Sequence, residues 1–212
     1  MIFDITTDEA LARTGKMLQS WNQDIPLLIK GFHITTSSNC CAELSVKGIE
    51  PLADVLNNTN SELNRFLQCY GIAVDAFGGE VIQGGRTFSL SAYPFNQISK
   101  LLKRKVSAFL WCSHVDKYGE IHYYPEILNE MVKSNILPKK ALAEWKMNRR
   151  AYKIYFTVGL NEIAADHVYL HGENARDVLA KQIRDRKHLG TNNCEIVLNR
   201  VPAECIESIV PL

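Results

Sequence analysis

The chain has 212 residues, of which 46% are apolar and 22% are charged, and its formal net charge is +1. This composition is ordinary for one globular domain with a sizeable core, and the overall charge indicates no class of partner. No apolar run reaches the roughly 20 residues that a membrane span requires. The sequence before Trp21 lacks the basic start and apolar core of a secretory signal, so we expect a cytoplasmic protein without membrane contact.

The first half of the chain predicts helices, one strand and a long connection. The predicted elements are a helix from Asp4 to Trp21 with Thr7 as N-cap, a strand that starts at Pro26, a helix capped by Ser37 or Ser38 and ended by Gly48, and a helix from Ser61 to Tyr70. The rest of 50–86 shows no clear period and contains the pairs Gly78-Gly79 and Gly84-Gly85. We expect an ordered loop there, because its aromatic and aliphatic side chains need a surface to cover.

The second half contains more strands than helices. The predicted strands are 87–93, 105–115, 121–124, 152–158, 168–170, 195–198 and 206–210, and the predicted helices are 94–102, 125–132, 138–150 and 175–186. The helices are short and the alternation is irregular. This order favours an α+β domain with antiparallel pairing over a doubly wound parallel sheet.

The cysteines and histidines give no metal or redox signature. The six cysteines are Cys40, Cys41, Cys69, Cys112, Cys194 and Cys205, and none forms a C-x-x-C pair. We expect reduced and mostly buried thiols. A zinc site would need Cys112, His114, His167 and His171 together, and nothing in the sequence forces that, so we predict no metal.

Three short motifs follow one another along the predicted strands. Phe32-His33-Ile34-Thr35 ends the first strand, Phe88-Ser89-Leu90-Ser91 lies on a second, and Cys194-Glu195-Ile196-Val197 opens a late one. Together with Lys47-Gly48-Ile49 and the strand–turn–strand pattern of 200–209, this order resembles the ADP-ribosyltransferase superfamily. The chain is most similar to the histidine-containing, diphtheria-toxin-like branch and to bacterial toxins that modify nucleic acid bases.

The resemblance implies a fold, a cofactor and a set of roles. The expected fold is a single domain over 1–212 with split antiparallel sheets and short helices around an NAD cleft, and with 1–23 as an N-terminal helical extension. Glu195 would be catalytic and would stabilise the positive charge that develops as NAD loses nicotinamide, as in glycoside hydrolysis. His33 would hold the adenosine ribose, Thr35 would support the strand end, Ser89 and Ser91 would brace Glu195 or the ribose, and Tyr93 would stack on nicotinamide. The loop of 50–85 would cover the cofactor.

A basic segment suggests the acceptor. Residues 139–187 contain eleven Lys or Arg against six Asp or Glu, with Trp145 and Tyr152 interleaved. The residue two before Glu195 is Asn193, whereas family members that modify arginine, asparagine or cysteine side chains have Glu or Gln there. We therefore expect an RNA or single-stranded DNA acceptor, contacted by Lys146, Arg149, Arg150, Arg186 and Asn193.

The resemblance therefore predicts an NAD-dependent mono-ADP-ribosyltransferase, acting as a bacterial or phage toxin or defence enzyme with a partner antitoxin. Three alternatives stay open: an NAD glycohydrolase, a protein-directed ADP-ribosyltransferase effector, and a non-catalytic nucleic-acid-binding module. Each motif is also compatible with an ordinary structural role. His33 could be a turn histidine, Ser89 and Ser91 polar positions of a half-exposed strand, and Glu195 a solvated strand end.

Overall fold

The computed structural model describes residues 1–22, 24–103, 105–111, 124–164, 175–188 and 194–212. Its strands are β1 (Ile2–Phe3), β2 (Leu28–Ser37), β3 (Ile72–Asp75), β4 (Glu80–Gln83), β5 (Arg86–Ser89), β6 (Val106–Trp111), β7 (Arg150–Gly159), β8 (Cys194–Leu198) and β9 (Ile206–Pro211). Its helices are α1 (Asp8–Ser20), α2 (Leu44–Lys47), α3 (Leu52–Asn57), α4 (Glu62–Cys69), α5 (Asn96–Lys103), α6 (Glu126–Lys133), α7 (Lys140–Met147) and α8 (Ala175–His188). Short 3-10 turns lie at Leu160–Glu162 and Ala203–Cys205.

The main sheet is antiparallel along the order β8-β6-β2-β7-β9, and β1 adds a parallel pairing at the start of β2. A second antiparallel sheet has the order β3-β4-β5. Antiparallel sheets combined with short helices confirm the predicted α+β class. Among the described residues, no helix is long and apolar enough to cross a membrane.

One face of the main sheet packs against α1 and α8. Alternate strand residues such as Ile29, Ala108 and Ile196 join Leu18 of α1 and Leu179 of α8 in one buried cluster. The predicted N-terminal helix is confirmed, and the Thr7 hydroxyl caps it by accepting from the Ala10 amide at 3.2 Å. Phe3, on β1, is fully buried in the same cluster. The N-terminal segment is therefore part of the main core.

The predicted helix of Ser61 to Tyr70 is confirmed as α4. The loop expected for the rest of 50–86 is wrong, because these residues form α3 and most of the second sheet. The strands β3 and β4 have four residues each, which is too short for a period of two to show in the sequence. The glycine pairs form the two hairpin turns, where Gly79, Gly84 and Gly85 take φ of 69°, 57° and 75°. This sheet and helices α3 to α7 enclose a second core, which includes Leu67, Val81, Leu128 and Trp145.

The expected helix cap at Ser37 or Ser38 is also wrong. Helix α2 has only four residues, and the segment before it is a series of turns. Ser37 instead accepts a hydrogen bond from the amide of Cys41 at 3.1 Å. Gly48 does end the helix, with a φ of 75°. Of the predicted strands, residues 112–115, 121–123 and 168–170 lie outside the described residues.

Candidate functional site

A cleft of about 380 Å³ is lined by residues of the main sheet and of the second core. His33 and Thr35 reach it from β2, and Glu195 reaches it from β8. Residues between 43 and 63, which include the starts of α3 and α4, form much of another wall. Three of the residues that the sequence singled out therefore line one cavity, although Glu195 is more than 150 positions from His33 and Thr35 in the chain.

The cleft lies where β2 and β6 separate. All ten residues of β2 pair with β7, whereas the pairing with β6 is confined, among the described residues, to Phe32 and Phe109. Phe109 in turn pairs with Glu195 of β8. Because paired residues share a face, Glu195 lies on the face of Phe32 and Phe109, and His33 points to the other face. Both side chains still border the cleft, since β2 and β6 diverge beyond their shared pair.

The ring of His33 is held by β6. Its Nδ1 atom lies 2.8 Å from the backbone oxygen of Ser107. A carbonyl oxygen can only accept, so Nδ1 carries the proton of this bond. Burial lowers the pKa of His33, and the bond to Ser107 opposes this shift only in part. The ring is therefore neutral at pH 7, and its Nε2 atom is a hydrogen-bond acceptor.

Glu195 is an exposed carboxylate on an otherwise buried strand end. Its neighbours Cys194 and Ile196 are buried in the main core, so strand alternation directs Glu195 to the opposite side. The neighbouring strand places the partly buried ring of Phe109 opposite it. The site thus combines a neutral acceptor at His33, an anion at Glu195 and an aromatic ring at Phe109.

The structure does not bring Ser89, Ser91 and Tyr93 to the cleft. Ser89 ends β5, which pairs with β4 of the second sheet and not with the main sheet. The hydroxyls of Ser89 and Ser91 lie 2.8 Å apart and exposed, and Tyr93 is 89% exposed in the following turn. Their expected contacts with the cofactor therefore lack a structural basis. The predicted strand of 87–93 is confirmed only up to Ser89, and the residues from Leu90 to Tyr93 form turns. The sheet to which a strand belongs depends on its pairing partners, which its own sequence does not identify.

Two of the five predicted acceptor residues are engaged inside the protein. Arg186 donates to the backbone oxygen of Ile5 at 2.6 Å and to Asp8 at 3.1 Å, and it stacks 4.7 Å from the ring of Trp111. Arg149 is ion-paired with Glu62 at 2.9 Å, and its side chain is only 12% exposed. Lys146 and Arg150 lie at exposed positions outside the cleft lining, and Asn193 lies outside the described residues.

A polar network at the cleft, which the sequence did not reveal, explains the position of Arg149. The network consists of Thr36, Ser38, Glu62, Trp145 and Arg149, and we call it the Glu62 network. Glu62 accepts from the amide and hydroxyl of Ser38 at 3.0 and 2.7 Å and from Arg149 at 2.9 Å. Arg149 stacks 3.6 Å from the ring centre of Trp145, whose Nε1 donates to the Thr36 hydroxyl at 2.9 Å. Only the pairing of distant segments could have indicated this network.

The Glu62 carboxyl is ionised at neutral pH. Burial alone raises its pKa, but the hydrogen bonds from Ser38 and the charge of Arg149 outweigh burial and hold the pKa below its ordinary value.

Two of the cysteines behave as apolar core residues, since burial raises the pKa of Cys41 and of Cys194 to about 11. Cys40 and Cys69 are exposed, so the expectation of mostly buried thiols is only partly met.

Within the described ranges, no group of three or more His, Cys, Asp or Glu side chains could hold a metal ion. The residues of the alternative zinc site, Cys112, His114, His167 and His171, lie outside those ranges.

No protein-family model, no curated protein and no solved structure matches this chain. The site's chemistry therefore has to be argued from its own residues.

Proposed function

We propose that this protein is an NAD-dependent mono-ADP-ribosyltransferase whose reaction takes place in the cleft of His33 and Glu195. The observation that carries the proposal is the shared cleft at the divergence of β2 and β6. The resemblance of the His-x-Thr and Glu motifs to the ADP-ribosyltransferase superfamily supports it as well. Ser89, Ser91 and Tyr93 lie outside the cleft lining and have no role in the proposed site.

The residues of the cleft suit each step of this chemistry. The neutral Nε2 of His33 accepts a hydrogen bond from a ribose hydroxyl, which a protonated ring could not do. The bond between nicotinamide and ribose breaks with both electrons going to the pyridinium nitrogen, so nicotinamide leaves neutral without a general acid. The positive charge left on the ribose is stabilised by the carboxylate of Glu195. The acceptor then forms the new bond to the ribose carbon and loses its proton to Glu195.

The nature of the acceptor rests on fewer residues than the sequence predicted. Of the five predicted acceptor residues, Arg149 and Arg186 are engaged internally, whereas Lys146 and Arg150 lie at exposed positions. A nucleic-acid acceptor remains our proposal, and a protein acceptor and water are the competing outcomes. A toxin of this kind would require a neutralising partner protein.

The test uses NAD radiolabelled in its adenylate phosphate, incubated with RNA, with single-stranded DNA or with cell lysate. Label on a nucleic acid supports the proposal as stated, label on a protein replaces the acceptor class, and free ADP-ribose alone identifies a glycohydrolase. Glu195→Gln should lower the turnover of NAD about 100-fold or more. Glu80→Gln is the matched control, because Glu80 is also an exposed strand glutamate but lies on β4, outside the cleft. If the wild type consumes no NAD, the proposal is wrong and the remaining alternative is a non-catalytic nucleic-acid-binding module.

A further inference from the structure

The segment that follows the His33 strand is held in a strained shape. Ser38 is the first residue beyond the ladder of β2 and β7, which ends at Ser37 and Arg150. Cys40 and Cys41 then take φ of 57° and 61°. This left-handed conformation costs an ordinary L-residue about 1–2 kcal/mol, so it persists only where neighbouring contacts impose it.

The amide of Cys41 donates to the Ser37 hydroxyl at 3.1 Å, and that hydroxyl lies 3.3 Å from the carboxylate of Glu62. The Glu62 network therefore reaches this segment through Ser37, and it does so from outside the main sheet. Glu62 belongs to α4, and Trp145 lies on α7, with Arg149 just beyond it. The carboxylate of Glu62 binds both polar groups of Ser38, and Trp145 binds the hydroxyl of Thr36. Helices around the second core therefore fix the end of β2 at two points, among residues that line the cleft.

The network also forms part of the cleft itself. Thr36, Glu62 and Trp145 line the same cavity as His33 and Glu195. The carboxylate of Glu62 already accepts bonds from Ser38 and Arg149, and its side chain is 17% exposed. A carboxylate that is occupied in this way is suited to holding a wall in place more than to contacting a substrate.

We propose that Glu62 is a positioning residue, which holds 36–38 in the shape that the cleft needs to bind NAD. This inference rests on the proposed function. It reassigns Arg149 as well, from contact with the acceptor to support of the Glu62 carboxylate. Neither residue takes part in bond breaking.

The physical consequence is a loss of binding without a loss of chemistry. When the network is broken, 36–38 populates other conformations, and the apparent affinity falls by the fraction that remains competent. Once NAD is bound, the reaction depends on Glu195, which belongs to β8 and makes none of the network's hydrogen bonds. The KM for NAD should therefore rise while kcat changes little.

The experiment measures KM for NAD, kcat and thermal stability for the wild type, Glu62→Gln, Glu62→Ala and Arg149→Lys. The matched control is Glu130→Gln. Glu130 is also an ion-paired carboxylate, 2.6 Å from Lys133, and its side chain is 14% exposed, but it lies outside the cleft lining. Loss of a partly buried ion pair outside the cleft, as in Glu130→Gln, should change thermal stability at most and leave KM for NAD unchanged.

We expect Glu62→Ala to raise KM about ten-fold, with kcat within about two-fold of the wild type. Glu62→Gln keeps an oxygen for Ser38 and should restore part of the affinity, and Arg149→Lys should lie between the two. If Glu62→Ala does not fold, Glu62→Gln and Arg149→Lys decide the question.

Wild-type KM in these variants, or a fall in kcat at constant KM, would overturn the positioning role and leave the proposed function intact. An equal rise of KM in Glu130→Gln would also overturn it. Absence of NAD turnover in the wild type would overturn the proposed function, and the positioning role together with it.

Discussion

The Nδ1 atom of His33 and the backbone oxygen of Ser107 lie 2.8 Å apart, across the gap that opens between β2 and β6. The imidazole of His33 donates to the Ser107 carbonyl. This carbonyl would accept from a backbone amide of β2 if the two strands were paired there. The bond fixes both the orientation and the tautomer of the ring, since Nδ1 must donate. The remaining nitrogen, Nε2, is thereby prepared as an acceptor.

The first prediction tests Nε2 through His33→Asn. The asparagine amide can still donate to the oxygen of Ser107 but has no group at the position of Nε2. Under the proposed function, we expect KM for NAD to rise about ten-fold, with the melting temperature close to that of the wild type. Steady-state kinetics and thermal unfolding measure the two effects. An unchanged KM would remove His33 from the binding site.

The second prediction concerns the pH dependence of stability. The pKa of His33 is lowered in the folded protein, so the unfolded chain takes up a proton at a higher pH than the folded one. The contribution of His33 to stability is therefore fully present above the ordinary histidine pKa of 6.5, and it is lost as the pH falls below that value. Urea unfolding of the wild type and of His33→Asn as a function of pH measures this. The free energy of unfolding should depend on pH differently in the two proteins only below about pH 6.5. Parallel plots of this free energy against pH over the whole range would contradict the prediction.

The third prediction concerns Gly48, which ends α2 against the 201–203 segment. A Cβ atom there would lie 2.0 Å from the backbone oxygen of Val201, and the φ of 75° disfavours any side chain. We expect Gly48→Ala to destabilise the fold by more than about 2 kcal/mol. Gly71→Ala is the control, because Gly71 has a similar φ of 67° but no atom within 4 Å of the added Cβ. Chemical denaturation should show a clearly smaller loss for Gly71→Ala, and equal losses would mean that strain alone explains the effect.

The fourth prediction separates two roles of Arg186. The structure engages its side chain with Ile5, Asp8 and Trp111, so Arg186→Met should destabilise the protein by about 2 kcal/mol. At a temperature where the variant is folded, labelling of the acceptor should match the wild type. Arg176→Met, an exposed arginine at the start of the same helix, should change neither quantity. A folded Arg186→Met that no longer modifies the acceptor would restore the acceptor role that the sequence suggested.

The sequence predicted helices and strands correctly where capping residues, turn residues or side-chain alternation within a few positions define them. The cap at Thr7, the strands of residues 152–158 and 195–198, and the stop at Gly48 depend on a few neighbouring residues, and the structure confirms them. The strands β3 and β4 of the second sheet were missed because they are short and because the glycine pairs look the same in a loop and in a hairpin turn. Hairpin formation there depends on burial of Val81, which is a tertiary property.

The candidate site divides in the same way. The sequence by itself determined the α+β class, the placement of His33 and Thr35 on one strand and that of Glu195 at the start of another, because side-chain alternation and turn residues act over a few positions. The expected strand end at Thr35 is displaced, since β2 continues to Ser37 and His33 lies in its middle. Only the tertiary structure decided that these three site residues line one cleft while Ser89, Ser91 and Tyr93 do not. It also decided that Arg149 and Arg186 are engaged inside the protein. The physical reason is that sheet pairing and charge pairing join residues that are distant in the chain, and the energy of those contacts is not encoded in any single local pattern.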